Sequence, residues 1–309
     1  MRRKPWYCIV VKGHLLTVGL FLFSLATASA LNLPGAPNCP IFPENNVWNK
    51  EITQLPVHRN SAALIRSIGL NDGLHPDFGS NLSYGIPYNV VGGGTPKVRV
   101  NFYYDDESDA GPYPIPANPK MEAGGDRHIL IVDRDACKLY EIYDSDFVNG
   151  RWEAGSGAIW NLRSNLLRPN NWTSADAAGL PILPGLVRFD EVSRGVINHA
   201  LRFTASTTRD QHIYPARHHA GASNDPSLPP MGLRIRLKPS FNISSFSPRN
   251  RVILTALKRY GMILADNGSP WFITGVSDRR WNADDLNQLK RIKGSAFEAV
   301  DTTNLRNGN

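Results

Sequence analysis

Carboxylates, histidines, arginines and tyrosines crowd one stretch of this chain, and their types set out the chemistry it could perform. Glu122, Asp126, Arg127 and His128 stand at the entry of an apolar run, and Tyr140, Glu141 and Tyr143 follow on the next one. Strand alternation puts His128 and Leu130 on one face. On the partner run it groups Leu139, Glu141 and Tyr143 on one face and Tyr140 and Ile142 on the other. A strand end that gathers acids, a histidine and tyrosines suits acid–base work on a sugar.

A second group follows. Asp176 lies in the small-residue loop Thr173-Ser174-Ala175-Asp176-Ala177-Ala178-Gly179. Backbone donors there can orient a carboxylate, and the same aspartate can cap a turn. Arg188 and Arg202 fall in apolar runs, with His199 beside the second. A buried guanidinium is costly unless it meets an acid, so both are expected to pair with Asp176, Glu141 or a substrate carboxylate. The third group is Gln211-His212-Ile213-Tyr214-Pro215-Ala216-Arg217-His218-His219. Adjacent His218 and His219 point to opposite faces of a strand, so no metal site is expected from them.

Two reactions fit these residues. Hydrolysis would take two of Glu122, Asp126, Glu141 and Asp176 as acid and base or nucleophile, with His128 beside them. Elimination would take His199 or Tyr214 as base and Arg202 or Arg217 to neutralise a uronate. Tyr140, Arg188, Tyr214, Arg217 and His218 are the candidate substrate-binding side chains. Asp105, Asp106, Glu107 and Asp109 form an acidic loop, but Ala110 and Pro116 stand where an EF-hand requires glycine and glutamate. No cofactor is expected, a looser Ca²⁺ site being the alternative. Nucleophile-elbow, His-Glu-x-x-His and Walker signatures are absent.

Near the C-terminus, Gly232-Leu233-Arg234-Ile235-Arg236-Leu237 precedes Tyr260-Gly261-Met262-Ile263-Leu264-Ala265-Asp266-Asn267-Gly268 and then Ile273-Thr274-Gly275. In this order the segments resemble double-psi β-barrel glycan-cleaving enzymes over a minor part of the chain. The resemblance implies a catalytic role for Asp266. The residues themselves read better as a turn at Asp266-Asn267-Gly268.

The elements that must position these groups are mostly strands. Period-two alternation marks 97–104, and a hairpin joins 128–132 to 137–143 around the turn at 133–136. Further strands are expected at 84–91, 151–162, 180–189, 196–204, 211–216, 232–238 and 271–276. Helical spacing marks 61–68, 249–264 and 283–292. Short strands in series with a late helix predict a single mainly-β domain over 61–300, a sandwich or jelly roll before an irregular barrel, with a C-terminal helix packed on it. Residues 31–60 read as a Pro-rich extended segment and 301–309 as a disordered tail.

Composition sets the compartment. Arg2, Arg3, Lys4 and Lys12, the apolar run 15–26 and Ala28-Ser29-Ala30 follow signal-peptide grammar, so 1–30 is expected to be removed on export. The formal charge of +7 over 309 residues then loses four basic groups and no acid, which withdraws a nucleic-acid partner. No transmembrane segment is expected in the mature chain. Of the three cysteines, Cys39 and Cys137 remain, an expected disulfide in an oxidising compartment. The expectation is a secreted, extracellular or periplasmic enzyme cleaving a polysaccharide by hydrolysis or elimination. The alternative is a secreted protein that only binds glycans or a cell surface.

Overall fold

The computed structural model describes Met1 and residues 32–305. Residues 2–31, on which the export-signal reading falls, lie outside the described residues. Three mixed sheets carry a mainly-β fold. The middle sheet runs in the order β2 (Tyr88–Val91), β4 (Ile129–Asp133), β5 (Lys138–Tyr143) and β8 (Ser156–Asn161). The predicted hairpin is β4–β5, paired from Ile129 with Ile142 to Asp133 with Lys138.

Both faces of this sheet are covered. Leu130, Val132 and Leu139 join the main core, while Ile129, Ile131, Tyr140 and Ile142 join a smaller one. Every residue of β4 is therefore buried, as in a strand covered on both sides. The smaller core is shared with Val100 and Ala154 of a three-stranded sheet. That sheet orders β3 (Val100–Phe102), β7 (Arg151–Ala154) and β6 (Asp146–Val148).

The main core is shared with a six-stranded sheet. Its order is β1 (His75–Asp77), β12 (Phe272–Thr274), β9 (Leu201–Ala205), β11 (Met262–Asn267), β10 (Arg234–Leu237) and β13 (Phe297–Ala299). Pairs β1–β12 and β9–β11 are parallel, so residues far apart in sequence lie side by side. The outer strands do not pair, and the sheet is not a closed barrel. One antiparallel bridge, Gly73 with Lys293, ties the segments preceding them.

Among the described residues four α-helices pack around the sheets: α1 (Ser61–Ile68), α2 (Phe189–Arg194), α3 (Pro248–Arg259) and α4 (Ala283–Asn287). In α3, the Ser247 hydroxyl accepts from the Asn250 amide, Pro248 opens the first turn, and Lys258 and Arg259 complement the dipole at the end. Ile253, Leu254, Ala256 and Leu257 are buried. The helix stops short of the predicted 264 because Gly261 takes a positive φ of 66°, and a Cβ there would strike the Ile235 carbonyl oxygen. Ile263 and Leu264 therefore belong to β11.

The run 180–189 is not a strand but a 3-10 turn, Leu183–Gly185, followed by α2. Pro181 and Pro184 cannot donate to a ladder, so burial alone made the run look strand-like. Residues 211–216 form only a single bridge, His212 with Met231.

The Pro-rich segment is anchored in the core by buried Ile41, Val47, Trp48 and Ile52. Cys39 and Cys137 form a disulfide with Cα atoms 5.2 Å apart, 98 positions apart in sequence. At the other end, the Asp301 amide donates to Pro56 at 2.9 Å and Leu305 is buried, so residues 301–305 dock on the body. No described helix is long and apolar enough to cross a membrane. Opening the disulfide by Cys39→Ser with Cys137→Ser is expected to remove about 2–4 kcal/mol of stability, read as a lower urea midpoint.

Candidate active site

A cleft of about 410 Å³ opens where the middle and six-stranded sheets meet, with Tyr104, Glu107, Asp126, Tyr143, His218 and Asp266 among its lining. Strand alternation explains the arrangement. His128 precedes β4 on the Leu130 face, and Glu141 and Tyr143 share the Leu139 face of β5, so all three look toward the six-stranded sheet. From that sheet come Arg202 of β9, Asp266 of β11, Thr274 of β12 and Asp77 of β1.

Arg202 organises the network. Its Nε donates to Asp176 Oδ2 at 2.9 Å and its Nη2 to Asp176 Oδ1 at 2.7 Å, a bidentate pair with both side chains buried. Nη1 donates to Thr274 Oγ1. Burial opposes the guanidinium charge, but Asp176 more than compensates and holds the pKa above its ordinary value. This is the ion pair that an arginine in an apolar run called for. The Asp176 loop is itself pinned: its amide donates to Ser174 Oγ at 3.0 Å, and Ala178 N donates to Ala265 O at 2.9 Å.

Asp266 reaches the same network through a β-bulge. Leu264 pairs with Phe203, but Asp266 pairs with Thr204, leaving Ala265 as the extra residue. Without the bulge, Ala265 would oppose Thr204 and Asp266 would share the face of Leu264. With it, Asp266 shares the face of Arg202, and its Oδ2 lies 3.8 Å from Nη2. Its side chain keeps 26% exposure, toward the cleft it lines. Burial, then the charge of Asp176, pushes its carboxyl up to about 7 against the pull of Arg202 and the Asn267 amide, which donates at 2.7 Å.

Beside it sits a buried acid–imidazole pair. His128 Nδ1 lies 2.5 Å from Glu122 Oε2, and Nε2 lies 2.9 Å from the Ala175 carbonyl. An acceptor at each ring nitrogen calls for the imidazolium. Burial disfavours that charge, but the Glu122 hydrogen bond and charge outweigh it and raise the His128 pKa. Reciprocally, burial would raise Glu122, yet His128 holds it below the ordinary range. Asp77, whose pKa burial and Glu122 raise, completes the group. Glu122, Asp126 and His128 bring ligand atoms within 4.8 Å of one another, the spacing of a metal trio. Both imidazole nitrogens, however, are engaged by Glu122 and Ala175.

The remaining sequence candidates divide by position. Glu141 is fully buried and does not reach the cleft; its carboxylate accepts from the Ile182 and Leu183 amides at 2.9 to 3.0 Å. Burial first, then Asp176, raises it to about 7, while the two amides hold it down. His199 lies away from the cleft, with Nε2 3.1 Å from Glu191 and Nδ1 2.8 Å from Ala200 O. Arg188 meets Glu191 at 2.7 Å, so both anchor the first turn of α2. Tyr140 faces the smaller core, where Lys97 donates to its hydroxyl at 3.2 Å. Tyr214 is half-buried and lies outside the lining, and Arg217 donates to Arg168 O at 2.9 Å. His218 lines the cleft, with Nδ1 2.8 Å from Ala177 O and Nε2 3.8 Å from Glu107.

The residues that converge are thus Glu122, Asp126, His128, Asp176, Arg202 and His218, with Asp266. Asp77, Tyr104 and Thr274 carry no site signal in the sequence, and Glu107 only that of an acidic loop, because parallel pairing and loop closure bring them here. Comparison with protein-family models, curated proteins and solved structures found no match for this chain.

Two outcomes follow from the network. Arg202→Met strands Asp176 in the core and is expected to cost about 3–5 kcal/mol, with the Arg202→Met/Asp176→Asn double variant losing less than the sum. Denaturant midpoints check this. Glu122→Gln should destabilise most between pH 4.5 and 6.5, the ordinary values of Glu122 and His128. Below that window Glu122 protonates through its lowered pKa, and above it His128 deprotonates through its raised one, so the gap from wild type narrows on both sides.

Proposed function

We propose that the cleft is the catalytic centre of a secreted glycan-cleaving hydrolase. The observation that carries this reading is Asp266, a carboxyl open to the cleft and pushed to about 7 by burial and by Asp176. Such a group holds its proton near neutral pH and can donate it to a glycosidic oxygen. Asp126, exposed on the same lining, is the second carboxylate, acting as base or nucleophile. Arg202 and Asp176 are positioning residues behind Asp266. Tyr104 and Tyr143 supply rings against which a sugar face can stack. Elimination is the weaker version, since His199, Tyr214 and Arg217 do not line the cleft. Secretion rests on the leader-like N-terminus and agrees with the disulfide.

The test is a polysaccharide panel read for new reducing ends and for unsaturated uronates. The expected result is reducing ends without ultraviolet absorbance, reduced about 10²- to 10⁴-fold in Asp266→Asn. Activity should fall as pH rises past about 7, where Asp266 loses its proton. Cleavage unaffected by Asp266→Asn would overturn the reading. Retention on a glycan column with no cleavage of any substrate would favour the binding-only alternative.

A further inference from the structure

The three-stranded sheet carries a second groove, of about 810 Å³, that the cleft chemistry does not use. Arg99, Asn101, Phe147, Arg151, Trp152 and Pro116 are among its lining residues, and none of its lining residues is acidic. In the parallel β3–β7 pair, Val100 is in register with Trp152, and Arg99 and Arg151, each one position earlier, lie at the same end of the ladder and both line the groove. Both arginines are exposed, and among the described residues neither has an acid partner within salt-bridge distance. The acids on this sheet lie outside the groove's lining: Glu153 accepts from Asn101 at 2.9 Å and Asp146 pairs with Arg127 at 3.0 Å. Phe147 is 58% exposed, and its ring centroid lies 5.2 Å from that of Trp152.

A pair of unmatched guanidinium forks beside an open aromatic surface is complementary to a sugar ring bearing an anionic group. The cleft has the opposite character, with Glu107, Asp126 and Asp266 in its lining. One repeating acidic polymer would be welcomed by the groove and repelled by the cleft. We infer that the groove is an anchoring site for an acidic polysaccharide, separate from the cleft, holding the protein on a polyanionic matrix while the cleft works on less charged chains. The inference rests on the glycan reading of this protein only for the class of polymer. It is tested by binding rather than by cleavage, so the two can fail independently.

The experiment measures retention of residues 31–309 in gels containing polygalacturonate, chondroitin sulfate or neutral xylan, at physiological ionic strength, beside a single-stranded oligonucleotide. Expected is retention by at least one acidic polysaccharide and none by xylan. Retention should be unchanged in Asp266→Asn and weakened about tenfold or more in Arg99→Gln/Arg151→Gln. Polygalacturonate against chondroitin sulfate separates carboxylate from sulfate recognition. Equal thermal midpoints for the wild type and the arginine variant establish that the exposed substitutions leave the fold intact, and Arg99→Lys/Arg151→Lys should keep part of the retention. Absence of retention by both acidic polymers, retention indifferent to Arg99→Gln/Arg151→Gln, or tighter binding of the oligonucleotide would each overturn the inference.

Discussion

The buried Arg202–Asp176 pair is the constraint around which this molecule is arranged. Both charges are removed from water, and each is tolerable only because the other is held in a two-pronged geometry. One partner sits in a sheet strand and the other in a loop, so the pair fixes the loop against the sheet. Part of the cleft takes its position from that clamp. Ala175, inside the loop, presents the carbonyl that holds His128, and His128 in turn holds Glu122. Asp266 approaches the same guanidinium from the neighbouring strand and shares the field of Asp176.

The same clamp divides the acids by task. Asp176 gives both oxygens to the guanidinium and is buried away from any ligand. Asp266 receives only the distant edge of that charge, is burdened by its anionic neighbour, and still opens to solvent. Glu141, on the protein side of the seam, spends its oxygens on two backbone amides and thereby fixes the turn that opens at Leu183. Carboxylates that look equivalent in the sequence are separated into anchor, strut and reactive group by which donors surround them.

Much of the framework was legible before any coordinates. The β4–β5 hairpin followed from two apolar runs and a turn, and Cys39–Cys137 from cysteine count. The demand of an arginine in an apolar run for an acid partner is met for Arg202 by Asp176, one of the three partners the sequence left open, and for Arg188 by Glu191, which was not among them. Other features had no local signature. The end of α3 was hidden because Ile263 and Leu264 continue its spacing, and only the tight approach of Gly261 to Ile235 ends it. The run 180–189 is apolar because it is buried on all sides, which periodicity cannot distinguish from a strand. Asp77 enters the site through parallel pairing of β1 with β12 across nearly two-thirds of the chain. Asp266 would face the wrong way in an ideal strand, and the bulge that turns it is written in no motif.

The sheet order also governs when this protein can acquire its structure. β1 has no neighbour in its sheet until β12 exists, and β13, which flanks β10, ends at Ala299. Cys39 and Cys137 are made long before those strands, yet the Pro-rich segment that carries Cys39 packs on elements formed last: Trp48 O accepts from Ala200 N, and the Ile52 amide donates to Arg259 O. Completing the six-stranded sheet therefore requires strands far apart in sequence, the regime of slow folding. Such a polypeptide cannot complete that sheet before β13 has been made. Alignment of Cys39 with Cys137 is thereby coupled to the packing of the Pro-rich segment on those later elements.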